Sequence, residues 1–400
     1  MFFEALFLQL GYNATLVTIG AILLGTAAGV TGTFLFLRKR ALVSDAIAHA
    51  TLPGVGLAFI FLSLLGLDGR NLPGLLIGSA LSALLGLLSV QWLVARTRLS
   101  EDAAIGAVLS VFFSFGIVLL TVIQTMPSGG QAGLEGFLLG STAGMLLSDA
   151  VLIAAGGFAV VALVMIFRRP MTLVAFDPGF AATSGVNLAR IDLIMMGLVL
   201  AVTVVGLKIV GLILIIALLI IPPVTARFWS DRADTVVVLA GVFGALAAWI
   251  GAALSASAPN LPTGPLIVLI SFAMFAASMI GAPGRGLLSS YVRHRRFQTG
   301  VHVRQGLLAL AQGQPIYEPL TLRLLRREGL ALADGVATDG GRARAAKALR
   351  DEKRWEVARA TPEYELVAAR YDGLTQIEDV LTPDQIAEID ARIGGPEVVA

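Results

Sequence analysis

The sequence predicts an all-α polytopic membrane protein, with eight or nine transmembrane segments, followed by a small soluble domain. Of the 400 residues, 56% are hydrophobic and only 14% are charged. A globular domain normally has about 45–50% apolar and about 25% charged residues. After about residue 283 the composition becomes charged and amphipathic. We therefore predict a membrane domain over residues 1–285 and a soluble domain over residues 286–400, which is long enough for a core of its own.

Nine apolar segments approach the length that crosses a bilayer. They cover residues 13–37, 42–66, 73–95, 103–125, 149–167, 191–206, 210–226, 234–256 and 264–282. Segments six and seven are short and are separated only by residues 206–211. A broken or re-entrant pair, and hence eight full spans, is the alternative at this point.

Lysine and arginine cluster on alternate connections between these segments, beginning with residues 38–40, whereas the opposite connections carry only Arg70 and Lys208. The positive-inside rule then places the N-terminus outside and the soluble domain in the cytoplasm. The chain has no cysteine, which excludes disulfides, thiolate metal sites and a cysteine nucleophile.

The second segment carries the clearest candidate site, within the stretch Ser44-Asp45-Ala46-Ile47-Ala48-His49-Ala50-Thr51-Leu52-Pro53-Gly54. Asp45 and His49 are four residues apart, so they share one face of a helix. Pro53 has no N–H to donate to the His49 carbonyl, which weakens or kinks the helix there. An ionisable group within a membrane segment costs roughly 2.5–3.5 kcal/mol and marks a polar pathway by default. A structural Asp–His hydrogen bond between helices is the alternative.

The connection after the fifth segment contains a short helix with strong end signals. Asp177 is the expected N-cap, Pro178 the first helical residue and Gly185 the residue that follows the C-cap. The intervening residues include Gly179, Phe180 and Ala181. This helix is either a docking element for a partner or a well-capped surface turn.

The soluble domain is predicted to contain four helices and a short wing. Residues 303–312 and 318–328 have helical patterns, and Thr338 caps a helix that reaches about Arg359. A strand or wing with a turn at Asp334-Gly335 lies between the helix at residues 318–328 and the helix capped by Thr338. The sequence Thr382-Pro383-Asp384-Gln385 is a capping box that begins a last helix to about Ile393.

The membrane part resembles a permease of the ABC-3 family, the membrane subunits of bacterial ABC importers for manganese, zinc and sometimes iron. The resemblance covers roughly residues 5–282 and is carried by five motifs in order, at residues 44–54, 101–106, 137–141, 218–226 and 262–265. No G-x-x-x-x-G-K-[ST] phosphate loop occurs in the chain, so a separate subunit would have to hydrolyse ATP.

The resemblance implies a multi-pass subunit of the bacterial inner membrane, with no permanently bound cofactor. Asp45 and His49 would line the route of the transported divalent ion, and the helix within residues 176–185 would contact the cytoplasmic ABC ATPase. The other partners implied are membrane lipid, an extracytoplasmic metal-binding protein and a second permease, identical or sister. Carboxylate and imidazole ligands suit Mn²⁺, Fe²⁺ or Zn²⁺, and Mn²⁺ is the first choice.

The soluble domain resembles the later part of metal-dependent repressors of the DtxR/MntR class, which implies a winged-helix-like α(+β) fold. The likeness lies in residues 323–330, 338–342, 353–356 and 377–380. Glu352 and Asp379 stand where such repressors have metal-binding histidines, and Glu356 and Glu378 remain as further candidate ligands. The basic run is short and has acidic neighbours, which argues against a nucleic-acid partner. A relic that packs against the ATPase or another partner is the alternative to metal sensing.

We therefore expect a permease subunit, without enzymatic activity, of an ATP-driven importer for divalent transition-metal ions: Mn²⁺ first, Zn²⁺ or Fe²⁺ next. Two alternatives remain at this point. One is an intramembrane enzyme that uses Asp45 and His49 as an acid–base pair, although no convincing nucleophile accompanies them. The other is a membrane-anchored, metal-responsive regulatory protein.

Overall fold

The computed structural model describes residues 2–7, 9, 11–67, 69, 71–126, 147–258 and 261–393. It divides into two compact units, Met1–Leu288 and Ser289–Ala400. The motif at residues 137–141 lies outside the described residues.

The regular secondary structure of the first unit is all helical in its described residues. Its helices are α1 (Phe2–Leu6), α2 (Tyr12–Leu37), α3 (Ala41–Leu64), α4 (Leu72–Arg96), α5 (Glu101–Thr125), α6 (Leu147–Phe176), α7 (Pro178–Thr183), α8 (Leu188–Val210), α9 (Leu212–Arg227), α10 (Ala233–Ala256) and α11 (Thr263–Gly281). Within the described part of the chain, eight helices are long and apolar enough to cross a membrane: α2 to α6, α8, α10 and α11. The prediction of an all-α polytopic membrane protein is confirmed, with eight such helices in the part of the chain that the structure describes.

The seventh predicted segment is a shorter helix, because the chain breaks at Gly211. This residue has φ +81°, a backbone conformation that favours glycine, and it ends α8 and begins α9. At about 1.5 Å per residue, the 16 residues of α9 extend roughly 24 Å, less than the roughly 30 Å of a bilayer core. The pair α8–α9 is therefore a broken helix, as the short sixth and seventh segments indicated.

Helix α2 forms the centre of the first unit. It packs against α6, α8, α9 and α10, while α3 packs against α4 and α5. A Cβ added at Gly25 would lie 2.3 Å from the Gly244 carbonyl oxygen of α10, and one at Gly29 would lie 2.1 Å from the Ala240 oxygen. Small residues thus allow the two helices to make backbone contact, as is common between membrane helices.

The second unit contains all but the first two residues of α12 (Leu287–Ala311), together with α13 (Pro319–Arg327), α14 (Asp339–Ala360), α15 (Glu365–Ala368) and α16 (Pro383–Ile393). Two further single turns lie at Pro362–Tyr364 and Ile377–Asp379. Trp355 of α14 is 1% exposed and forms a core with Tyr364, Ile377 and Ile389. The predicted caps are confirmed: Thr338 accepts a hydrogen bond from Gly341 N, and Gln385 accepts one from Thr382 N.

The β part of the predicted winged-helix-like α(+β) domain does not appear. In the described residues the wing reduces to one isolated antiparallel bridge between Ala331 and Ala337. The turn itself is tight, since Gly335, at φ +85°, donates its N–H to the Leu332 carbonyl. The pairing is short because only residues 328–338 separate α13 from α14. The secondary structure of the described residues is therefore all-α apart from this bridge.

Candidate functional site

Asp45 and His49 lie together on the partly exposed face of a helix that is otherwise mostly buried. In α3 the neighbours Ser44, Ala46, Ile47 and Ala48 are all buried. The side chains of His49 and Asp45 are 19% and 35% exposed, and His49 Nε2 lies 3.3 Å from Asp45 Oδ1. The spacing of four residues brings the Nε2 and Oδ1 atoms together, as the sequence predicted.

The same face of α3 continues as an apolar stripe. Leu42 and Leu64 are 53% and 75% exposed, and at 3.6 residues per turn both lie within about 60° of His49 around the helix. A partly buried carboxylate–imidazole pair therefore lies within a surface that is apolar above and below it.

The imidazole of His49 is held by one polar and one aromatic contact. Its ring meets the edge of Phe113 of α5, with centroids 5.0 Å apart and planes at 87°. Its Nδ1 atom is buried and has no hydrogen-bond partner among the described residues. Within this part of the chain, His49 therefore lacks the outer hydrogen bond that normally orients a permanent histidine ligand.

Close helix packing fixes the position of the pair. A Cβ added at Gly54, one residue after Pro53, would lie 2.1 Å from the Gly78 carbonyl oxygen of α4. One added at Gly116 of α5 would lie 2.6 Å from Leu52 Cβ. Helix α3 runs continuously through Pro53, so these contacts clamp the segment that follows His49 from two sides.

Sequence reasoning missed an ion-pair network at the turn between α2 and α3. Arg38 Nη2 lies 2.9 Å from Asp192 Oδ1 of α8. Arg40 Nη1 lies 3.3 Å from Asp192 Oδ2, and Arg40 Nε lies 3.0 Å from Glu101 Oε1 of α5. Arg38 and Arg40 were used only to assign topology. The signal that could have found the network is Asp192, a carboxylate within an apolar segment.

Helix α7 forms as predicted. Asp177 Oδ1 accepts a hydrogen bond from Phe180 N at 2.8 Å, and Pro178 is the first helical residue. Gly185, at φ +81°, follows the C-cap, and its N–H donates to the Ala182 carbonyl while Val186 N donates to Ala181. These two bonds make a Schellman motif.

The side chains of α7 point in two directions. Ala181 is fully buried, whereas Phe180 is 58% exposed and Phe176, just before the helix, is 57% exposed. Gly179 is also exposed. The helix is thus anchored on one side and presents an aromatic surface on the other.

The four candidate ligands of the second unit have different surroundings. Glu352 accepts hydrogen bonds from Arg304 and from the Tyr371 hydroxyl, both at 2.9 Å, and Glu378 is paired with Lys347 and Arg354. Glu356 and Asp379 are exposed. Across the described residues, no group of three or more His, Cys, Asp or Glu side chains is arranged to hold a metal ion.

Arg304 takes the position of a counter-ion in this unit. Its Nη2 lies 3.0 Å from Asp351 Oδ2 and 2.9 Å from Glu352 Oε2. Burial acts to raise the pKa of Glu352, but the hydrogen bonds from Arg304 and Tyr371 outweigh it, so that the pKa of the Glu352 carboxyl is lowered. The Glu352 carboxylate is therefore ionised and already paired with a guanidinium.

The fold and site together define a polytopic membrane protein with a polar pair set into one span, a break between two others and a capped connecting helix. A model of the ABC 3 transport family matches residues 12–282. The chain belongs to this family, and its membrane unit is a transport component rather than an enzyme.

Two relatives illustrate the family. The chain is 41% identical over 309 residues to the manganese transport system membrane protein MntC of Bacillus subtilis (strain 168), which covers 77% of this chain and 70% of that protein. It is 37% identical over 285 residues to the zinc transport system membrane protein TroC of Treponema pallidum (strain Nichols), covering 71% and 94%. A solved structure, PsaBC from Streptococcus pneumoniae in complex with Fab, matches with a TM-score of 0.63 and 30% identity over 74% of this chain and 98% of that one.

Proposed function

We propose that the chain is the permease subunit of an ATP-driven importer for divalent transition-metal ions, with Mn²⁺ as the first choice and Zn²⁺ or Fe²⁺ next. The observation that carries the proposal is the Asp45–His49 pair on the partly exposed face of α3. The named substrates of the relatives, manganese for MntC and zinc for TroC, agree with this ligand chemistry.

The pair has suitable dimensions for a divalent ion. With bonds of about 2.1 Å to nitrogen and oxygen, ligand atoms 3.3 Å apart subtend an angle of about 104° at the ion. This value lies between octahedral and tetrahedral geometry. One Asp–His pair can therefore chelate a transition-metal ion after a small adjustment.

Two ligands make an incomplete site, which suits transport. A closed cage of four ligands would retain the ion, whereas conduction requires binding weak enough for release. The pair lies on a face that this protomer leaves partly open, so we infer that a second permease, identical or sister, completes the passage. The neutral imidazole is the form that ligates.

Energy for transport comes from a separate subunit in this proposal. No phosphate-binding loop occurs in the sequence, and α7 offers Phe176 and Phe180 as exposed aromatic contacts for a cytoplasmic ABC ATPase. Asp177, Pro178 and Gly185 keep its helical form, and Gly179 and Ala181 lie within it. An extracytoplasmic metal-binding protein would deliver the ion to the other side.

For residues 286–400 we infer a cytoplasmic domain that packs against the ATPase or another partner. The repressor resemblance suggests a regulatory role, but Glu352 and Glu378 are held in ion pairs with arginine or lysine. Glu356 and Asp379 remain exposed candidates for metal contact.

The test is metal uptake by the complete transporter in vesicles, comparing the wild type with His49→Ala. We expect the variant to lose uptake while it remains inserted and bound to its ATPase, because the ion loses one of two ligands. Ser89→Ala is the matched control, since the hydroxyl of Ser89 in α4 donates its hydrogen bond within its own helix, to the Leu85 carbonyl. Normal uptake by His49→Ala would reject the pathway.

A further inference from the structure

The turn between α2 and α3 lies at the centre of a charge network within the first unit. It contains Arg38, Lys39 and Arg40, and Lys39 has φ +58°, which is rarely adopted by a residue other than glycine, asparagine or aspartate. The turn is closed by hydrogen bonds from Lys39 N to Phe36 O and from Arg40 N to Leu35 O. Backbone of this kind persists only where its surroundings hold it in place.

The network holds this turn to both helices that flank α7. Arg38 Nη1 donates to the Val174 carbonyl at 3.0 Å, in the last turn of α6, and Arg38 Nη2 donates to both carboxylate oxygens of Asp192 at 2.9 Å. Val174 lies three residues before Asp177, and Asp192 lies in the second turn of α8. A displacement of α7 would therefore act on Arg38 through both helices that flank α7, namely α6 and α8.

The other end of the network reaches the helix of the polar pair. Arg40 immediately precedes α3, whose fifth residue is Asp45. Arg40 also pairs with Glu101 in the first turn of α5, and α5 carries Phe113 against the His49 ring. Arg40 is thus connected to the Asp45–His49 pair by two routes, one along α3 and the other through Glu101 along α5 to Phe113.

The four charges are balanced and only partly exposed. Two guanidinium groups face two carboxylates, and their side chains are 15–33% exposed. Shielded pairs of this kind are less weakened by water and salt than surface pairs. A cavity of about 500 Å³ is lined by Arg40, Glu101 and Asp192 beside apolar residues of α4 and α8, so these side chains have room to exchange partners as the helices move.

We propose that this network is the link that delivers movement of α7 to the start of α3, with Asp192 as the positioning residue at its centre. The inference rests on the proposed function, because it takes α7 as the ATPase contact and α3 as the helix of the metal route. Asp192 pairs with both Arg38 and Arg40. Removal of its charge therefore disconnects the Arg38 contacts next to α7 from the Arg40 contacts at the start of α3.

The test measures metal uptake and ATP hydrolysis together, in vesicles that contain the complete transporter. For Asp192→Asn we expect metal imported per ATP hydrolysed to fall about tenfold, within the usual range of coupling between sites. ATPase binding and ATP hydrolysis should persist, and Asp192→Glu should retain most of the coupling. A residue needed only for folding would lower assembly and both rates together, and would leave the ratio unchanged.

The matched control is Asp234→Asn, which neutralises a more exposed Arg–Asp pair between α6 and α10 with an N–O distance of 3.5 Å. Its ratio should stay near that of the wild type. Glu101→Gln is the second variant, should Asp192→Asn not assemble, and it should also lower the ratio. A wild-type ratio in either assembled variant overturns the link. Normal uptake by His49→Ala would instead overturn the metal route. The proposed link from α7 to α3 would still be tested separately, by the metal imported per ATP hydrolysed in the Asp192 and Glu101 variants.

Discussion

The close contact between α3 and α4 makes Gly54→Ala an informative substitution. The added Cβ would lie 2.1 Å from the Gly78 oxygen, 2.6 Å from the Gly78 carbonyl carbon and 2.7 Å from Ser82 Cβ. Ordinary contact begins near 3.4 Å, so the helices must separate by about 1.3 Å, since backbone atoms cannot rotate away. We expect destabilisation of about 1–3 kcal/mol or more, the usual cost of overpacking.

The assay is the apparent melting temperature of the purified, detergent-solubilised chain, together with metal uptake in vesicles. Gly54→Ala should lower both, because the clamp lies one turn from His49. Gly197→Ala is the matched control: among the described residues, and apart from the adjoining backbone of its own helix, no atom lies within 4 Å of its added Cβ, and alanine is the better helix former. A wild-type melting temperature and uptake in Gly54→Ala would refute the argument that backbone contact fixes α3.

Two further predictions concern α7 and the second unit. Asp177→Ala removes the hydrogen bond from Phe180 N, costs the helix about 1 kcal/mol and should weaken co-purification of the ATPase. Asn187→Ala removes the corresponding cap of α8 and should leave co-purification unchanged. Equal ATPase binding by the two variants would argue against α7 as the contact. Burial and the hydrogen bond to Glu352 raise the pKa of Tyr371 to about 12 from 10.0, so its stabilising contribution is complete below pH 10 and is lost as the pH rises through 12. The ultraviolet titration of wild type minus Tyr371→Phe should therefore show a phenol with a midpoint near pH 12, and a midpoint near 10 would contradict this.

Local chemistry explains which parts of the molecule could be predicted from the sequence. The boundaries of α7 follow from Asp177, Pro178 and Gly185, because capping is decided within a few residues. The approach of Asp45 to His49 follows from their spacing on one helix. The break at Gly211 was indicated by two short apolar segments in succession.

Other features depend on contacts that spacing does not encode. Arg38 and Asp192 are separated by 154 positions in the chain, so their pairing requires the packing of α2 against α8. Helix α12 begins at Leu287 rather than near residue 303, because its basic residues interrupt the apolar pattern without interrupting the helix. The expected wing reduced to one bridge because only residues 328–338 separate α13 from α14.

The central claim is that a transported ion binds the Asp45–His49 pair during passage. Pulsed electron paramagnetic resonance of Mn²⁺ bound to the purified, nucleotide-free transporter tests it most directly, because a coordinated imidazole gives a nitrogen signal. We expect this signal in the wild type and its loss in His49→Gln, with weaker Mn²⁺ binding. The same nitrogen signal and affinity in both proteins would contradict the claim.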